Sequence, residues 1–345
     1  MKPKNARNLS LQAPQLFIAL AGLVIGLSNT ASAVALAKNN TTTWNATTDW
    51  TPAQVPTSAD ALTIGNSPMT AATMAAMSLG GNVSCLSLDF RAASDVAANR
   101  SLRITPGNTL TLGAGPTMIN QSNNKALASV LDCAVELTAN SIFNIQGSIV
   151  FNNSISQSGG DRSLSLNTNF GALHLNAANS YVGTNVNRGI LTLGSSGTLG
   201  ATTGSLTVGN SDNNPGILDL GGTTQTVATA NFNRAYVLNG TIIASTYGSL
   251  IGLVSANLQG ASAALSANDN RGLTLSGTNS YTGATTLNGI LRATKPTALP
   301  NSGASGTITI GAGTGYLIVR AGAASGEWGS TDIGGLLANG TFTVT

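Results

Sequence analysis

Two segments of this chain repeat one another, and that self-similarity limits the fold more than any other feature. Residues 173–191 read LHLNAANSYVGTNVNRGIL and residues 273–291 read LTLSGTNSYTGATTLNGIL, an ungapped match at an offset of 100 residues with 9 of 19 positions identical. The shared positions are Leu173/Leu273, Leu175/Leu275, Asn179/Asn279, Ser180/Ser280, Tyr181/Tyr281, Gly183/Gly283, Gly189/Gly289, Ile190/Ile290 and Leu191/Leu291. Internal repetition marks an architecture of stacked units, each burying its apolar side on its neighbour. Leu-x-Leu puts both leucines on one side of a short strand. Asn-Ser-Tyr-x-Gly reads as a corner, because Asn tolerates left-handed backbone and Gly adopts it at no steric cost. Ala284–Leu287, rich in β-branched Thr, reads as a second strand. Asn288-Gly289 makes a turn and Ile290-Leu291 opens a third strand. Three such strands make one coil, so the expected class is all-β, a right-handed parallel β-helix (β-solenoid) with short strands and an N-terminal cap.

The rest of the chain has the same rhythm. Ala61–Ile64, Val83–Phe90, Ser101–Thr105, Thr109–Leu112, Ala134–Leu137 and Ser141–Val150 favour strand, several with alternating apolar residues. Gly107-Asn108, Gly113–Pro116 and Asn152-Asn153 punctuate them. Gly216–Gly222 and Asn239–Ile243 read as degenerate coils between the two good copies. Met69–Leu79 is the one stretch that reads as helix, its alternative being a loop over the cap. Trp44 and Trp50, next to Pro52, Pro56 and Asp60, suit a lid on the first coil, whose open edge would otherwise pair with other chains. An aromatic platform for sugar rings is the alternative reading of the two tryptophans.

Lys2, Lys4 and Arg7 precede an apolar run from Leu16 to Leu27 and the small residues Ala31-Ser32-Ala33, the pattern of a secretory signal peptide. Cleavage is expected after Ala33, with Ala37 as the alternative. The apolar run is shorter than the roughly 20 residues a membrane-spanning helix needs, so no transmembrane span is expected in the mature chain. The predicted organisation is therefore a signal peptide over 1–33, a cap region over 34–82 and a solenoid over 83–345. Of 15 basic and 12 acidic residues, three basic ones lie in the leader, leaving a balanced mature chain. That balance argues against nucleic acid, which needs a clustered basic surface.

Chemistry is sparsely signalled. Glu136 and Glu327 are the only glutamates, and the aspartates are scattered, the nearest pairs being Asp212 with Asp219 and Asp89 with Asp95. Glycoside hydrolysis needs two facing carboxyl groups, so no catalytic residue is assigned, and a β-helical polysaccharide-binding or polysaccharide-degrading protein is kept as the alternative. His174, between Leu173 and Leu175, should point away from the core. Gly311–Gly315 precedes β-rich Tyr316–Arg320 rather than a helix, so it reads as a turn and not a phosphate loop. Cys85 and Cys133 leave two readings open, a disulfide suited to an oxidising compartment or two buried thiols. With one histidine they offer too few ligands for a metal. Tyr181 and Tyr281 either contact sugars from an exposed corner or pack on neighbouring coils.

Residues 273–293, LTLSGTNSYTGATTLNGILRA, resemble the autotransporter-associated β-strand repeat, whose usual form is close to L-x-L-x-G-x-N-T-Y-T-G-x-T-x-[IV]-x-x-G-x-L. Gly277, Asn279, Tyr281, Thr282, Gly283, Thr285 and Gly289 stand where that family has them. The copy at 173–193 diverges, with Val182 and Asn185 at two usual Thr positions. The resemblance implies a passenger-like β-helix exported to the bacterial cell surface or beyond it. It also implies a structural or adhesive role, with surface glycans or other surface proteins as partners and no cofactor. No translocator barrel or C-terminal sorting signal is legible, and Thr343-Val344-Thr345 read as mid-strand, the pattern of a truncated product.

Overall fold

The computed structural model describes residues 33–38, 43–64, 77–91, 102–113, 119–122, 128–211, 214–300, 302, 307–311 and 315–342. The signal-peptide reading of 1–33 thus falls almost wholly outside the described residues. The described chain is a parallel β-solenoid with three faces around one apolar core.

The first face stacks strands from Ala35–Lys38 and Ala61–Ile64 onward to Thr285–Leu287, Ile308–Ile310 and Thr341–Phe342. Their inward side chains form a ladder, rung on rung: Leu36, Leu62, Leu88, Ile119, Phe143, Leu166, Val186, Val208, Phe232. All nine are buried, as the two-residue period of a strand requires when one side faces the core. The second face carries a matching ladder of Ile149, Leu173, Leu191, Leu218, Val237, Val254, Leu275 and Ala293. The strands expected at Ala61–Ile64, Thr109–Leu112 and Ala134–Leu137 form with those bounds.

The third face changes character along the molecule. It begins as four strands, Val83–Cys85, Thr109–Leu112, Ala134–Leu137 and Ile155–Gln157. It returns as Thr224–Thr226, Thr241–Ile243 and Asn257–Gln259. Where regular strand lapses, buried side-chain amides take over the ladder. Asn179 Oδ1 accepts from Ile155 N on one rung at 2.8 Å, and its Nδ2 donates to Thr198 O on the next at 2.8 Å. Asn279 repeats the device, accepting from Leu258 N at 2.8 Å and donating to Ala298 O at 2.7 Å. Gln225, in the strand Thr224–Thr226, satisfies Leu199 N and Gly197 O, both on the preceding rung. An amide supplies both an acceptor and donors, so one side chain satisfies backbone groups on rungs either side of a gap.

The two repeat copies fold alike, but they divide differently from the three-strand coil read from sequence. Leu273 and Leu291 are direct partners on the second face. Leu-x-Leu, the Asn–Tyr segment and the Thr strand therefore complete one circuit, and Ile290-Leu291 already belongs to the next. The invariant glycines mark where rungs touch. A Cβ at Gly289 would lie 2.4 Å from Asp269 N, and one at Gly283 2.3 Å from Ala263 O.

At the N-terminal end, Ala35–Lys38 pairs in parallel with Ala61–Ile64 and antiparallel with Trp50–Thr51, which covers its other edge. Trp44 and Trp50 are fully buried and meet edge to face at 5.6 Å. Most of the Met69–Leu79 stretch read as helix lies outside the described residues. Its described end is no helix: Met77 bridges Ile104 on the second face. The one α-helix described, Ser330–Asn339, sits between Tyr316–Val319 and Thr341–Phe342. Gly329 N donates to Asp332 Oδ2 at its start, and the preceding Trp328 is anchored by Nε1 to Ala293 O at 3.1 Å. No helix among the described residues is long and apolar enough to cross a membrane.

Candidate functional site

The side chains weighed in the sequence as sugar platforms are not on the surface. Tyr181 and Tyr281 are fully buried. Each hydroxyl meets a threonine of the next strand, Tyr281 Oη to Thr285 Oγ1 at 2.9 Å and Tyr181 Oη to Thr184 Oγ1 at 3.3 Å. Gly200 leaves room for the Tyr181 ring, and Tyr247 stands 6.0 Å from Tyr281. Burial pushes the Tyr281 phenol up to about 12 and the other two higher still. The sugar-contact reading of these tyrosines is thus overturned in favour of packing, and the burial of Trp44 and Trp50 removes the tryptophan platform as well.

The other candidates are dispersed. Glu136 accepts from Thr111 Oγ1 on the third face, and Glu327 pairs with Arg320 at 2.9 Å near the C-terminal helix. Asp219 accepts from Gly221 N and Asn239 Nδ2. Asp95 and Asp212 lie outside the described residues. His174 points outward between buried leucines, and partial burial lowers its pKa. Cys85 and Cys133 are free and buried, so the thiol reading holds over the disulfide. Burial, then the charges of Asp60 and Asp132 respectively, push both up to about 12. Of the Gly311–Gly315 turn, 312–314 lie outside the described residues, and the strand Tyr316–Val319 follows it. No group of three or more His, Cys, Asp or Glu among the described residues is placed to hold a metal.

What the fold does bring together is arginine. The outer side of the second face carries a column of Ile190, Ile217, Tyr236, Leu253, Thr274, Arg292 and Ile318, partnered rung to rung. Ile190, Tyr236 and Ile318 are exposed at 37%, 41% and 44%. Arg234 and Arg271 come from the neighbouring corner, where the chain turns from first face to second. With Arg292 they border an open groove of about 510 Å³ floored by Tyr236, Leu253, Gly272 and Thr274.

Each arginine is placed differently. Arg271 is clamped on Asp269, its Nε to Oδ1 and an Nη to Oδ2, both at 3.0 Å. That clamp is the main reason the Asp269 carboxyl lies below its usual range, with Arg234 adding to it. The Arg292 guanidinium lies over Gly272, whose missing side chain leaves it room: a Cβ there would fall 2.4 Å from Nη1. Arg292 has no hydrogen-bond or ion-pair partner among the described residues. Arg234 holds a left-handed backbone, φ 57°, which costs a non-glycine residue about 1 kcal/mol. Strain of this kind concentrates at functional positions.

Three guanidinium groups border the groove beside an exposed phenol ring, and one carboxylate, Asp269, answers Arg271 and Arg234. Guanidinium groups bind carboxylate, sulfate or phosphate through paired donors, and tyrosine presents a flat face to apolar surface. Net charge hides this cluster, because its members come from three separate circuits. A partial local signal was nonetheless present: Asn187-Arg188-Gly189, Asn233-Arg234-Ala235 and Asn270-Arg271-Gly272 share Asn-Arg followed by Gly or Ala, and the last two carry groove arginines. No protein-family model, curated protein or solved structure matches this chain.

Proposed function

We propose that this chain is an exported, passenger-like β-solenoid of the bacterial cell surface, akin to the autotransporter-associated repeat proteins its motif resembles. Its task is structural and adhesive rather than catalytic, and the Arg234–Arg271–Arg292 groove is its contact with acidic polysaccharide. The observation that carries this reading is the meeting of three guanidinium groups with Tyr236 on the outside of a continuous ladder. A rung-stacked core holds such a surface rigid, so little ordering entropy opposes binding. The leader-like start supports export. The non-catalytic reading is supported by the separate structural bonds of Glu136, Glu327 and Asp219.

The test is binding of the purified mature chain to immobilised glycans carrying carboxylate or sulfate, beside neutral ones. Acidic glycans should be bound, with affinity falling as salt rises. Arg292→Ala should weaken that binding about tenfold, in line with the loss of one charge-assisted pair. Arg234→Gly should weaken it too while leaving the fold intact, since glycine relieves the backbone. Equal retention on neutral glycans, or binding unchanged by both substitutions, contradicts the adhesive reading. Turnover of any polysaccharide contradicts the non-catalytic one.

A further inference from the structure

Asp60 is fully buried, and its carboxylate is set between the first two rungs. It accepts four hydrogen bonds: from Val34 N to Oδ1 at 3.0 Å, and to Oδ2 from Thr57 N at 2.8 Å, Thr57 Oγ1 at 2.8 Å and Gln54 Nε2 at 3.1 Å. None of these donors is a cation, and a buried carboxylate without one is costly. Its titratable neighbour is Cys85, a thiol that its charge helps to keep protonated. Val34 is held from its other side as well, its carbonyl accepting from Ala61 N at 3.0 Å. The residue just before it, Ala33, is exposed and ends the Ala31-Ser32-Ala33 exit of the leader.

We infer that leader removal supplies the missing cation: the new α-ammonium of Val34 becomes the ion-pair partner of Asp60 and locks the first rung. The inference rests on the export reading above. A signal peptidase hydrolyses the Ala33–Val34 bond with one water. The carbonyl carbon of Ala33 gains the oxygen and leaves as carboxylate, and both water protons end on the Val34 nitrogen, making it –NH₃⁺. That nitrogen already lies 3.0 Å from Asp60 Oδ1, so the pair forms without rearrangement. The same geometry selects between the two possible cuts. Cleavage after Ala37 would remove Leu36, which is 1% exposed in the core, and the pairing of Ala35, Leu36 and Ala37 with Ala61, Leu62 and Thr63.

Two measurements test this. N-terminal sequencing of the exported protein should begin at Val34; an exported chain beginning elsewhere overturns the lock. Amine-selective acylation near about pH 8, read by mass spectrometry, should modify the Val34 amine several-fold more slowly in the folded chain than in urea, because the ion pair holds it protonated. Asp60→Asn should abolish that protection. Because this variant can fail to fold, wild-type chain carrying one extra N-terminal Ala is measured beside it, and should unfold at lower temperature than the Val34 form. Equal acylation in folded and unfolded chain, or equal melting with the extra residue, overturns the lock. If cells retain the uncut chain instead, the export reading fails. The lock is then judged on the Val34 form released from a cleavable fusion, by the same acylation and melting criteria.

Discussion

Asn279 shows how much one side chain contributes when a strand lapses. Its amide holds Leu258 N on one side and Ala298 O on the other, both buried. Replacing it with Leu keeps the branched heavy-atom shape but leaves a donor and an acceptor unpaired in the core. Each orphan costs about 1–3 kcal/mol, so Asn279→Leu should lower unfolding free energy by about 2–6 kcal/mol, measured by urea titration. Asn179→Leu should cost a similar amount. From sequence, Asn at these positions was legible as punctuation, but its reason was not. Propensity explains Asn by its tolerance of turns, whereas here it acts as a rung. Burial sets a second prediction at this scale. Cys85, Cys133 and Tyr281 keep their protons to about 12 in the folded chain. Unfolded thiols and phenols lose theirs near about 9 and 10. Groups with raised folded-state pKa contribute stability that is full below the unfolded pKa and lost as pH rises through the folded one. Stability should hold to about pH 8 and fall steadily between about pH 9 and 12. A denaturation midpoint flat across that range contradicts the burial of these groups.

Among elements, the rung Ala35–Lys38 is the least expected. Lys38 is only 1% exposed, with Nζ 3.5 Å from Asp49 Oδ2, 2.7 Å from Thr43 O and 5.3 Å from the centre of the Trp50 ring. Burial lowers its pKa against the opposing pull of Asp49. Breaking such a pair strands one charge, and Lys38→Met should cost about 3–5 kcal/mol, read from the shift in urea midpoint. Loss below about 1 kcal/mol would mean that the pair is solvated. Nothing in the sequence marked Lys38 as an inward residue, because a lysine in a short strand ordinarily points to water. The strands at Thr109–Leu112 and Ala134–Leu137 were legible for the opposite reason: alternating Leu or Val fixes both strand and face. The helix Ser330–Asn339 escaped because Gly334 and Gly335 weaken its propensity. Asp332 in its first turn, with Ile333, Leu336 and Leu337 at helical spacing, was the available signal.

For the whole molecule, the repeat made a stacked all-β architecture legible, since only stacking gives recurring Leu-x-Leu strands a shared core. How many residues close one circuit was not legible, because strand pattern carries no count of corners. That one unknown hid the arginine groove: without the circuit length, Arg234, Arg271 and Arg292 are scattered charges. Of the two readings of Tyr281, packing on neighbouring coils is the one its burial bears out. The functional account joins this rigid ladder to an exported life, and intact cells test that directly. Cells expressing the tagged native gene are treated with protease before fractionation. The account predicts a form beginning at Val34, found in the medium or lost from the cell surface on treatment. A protected chain that still carries residues 1–33 inside the cell would contradict it.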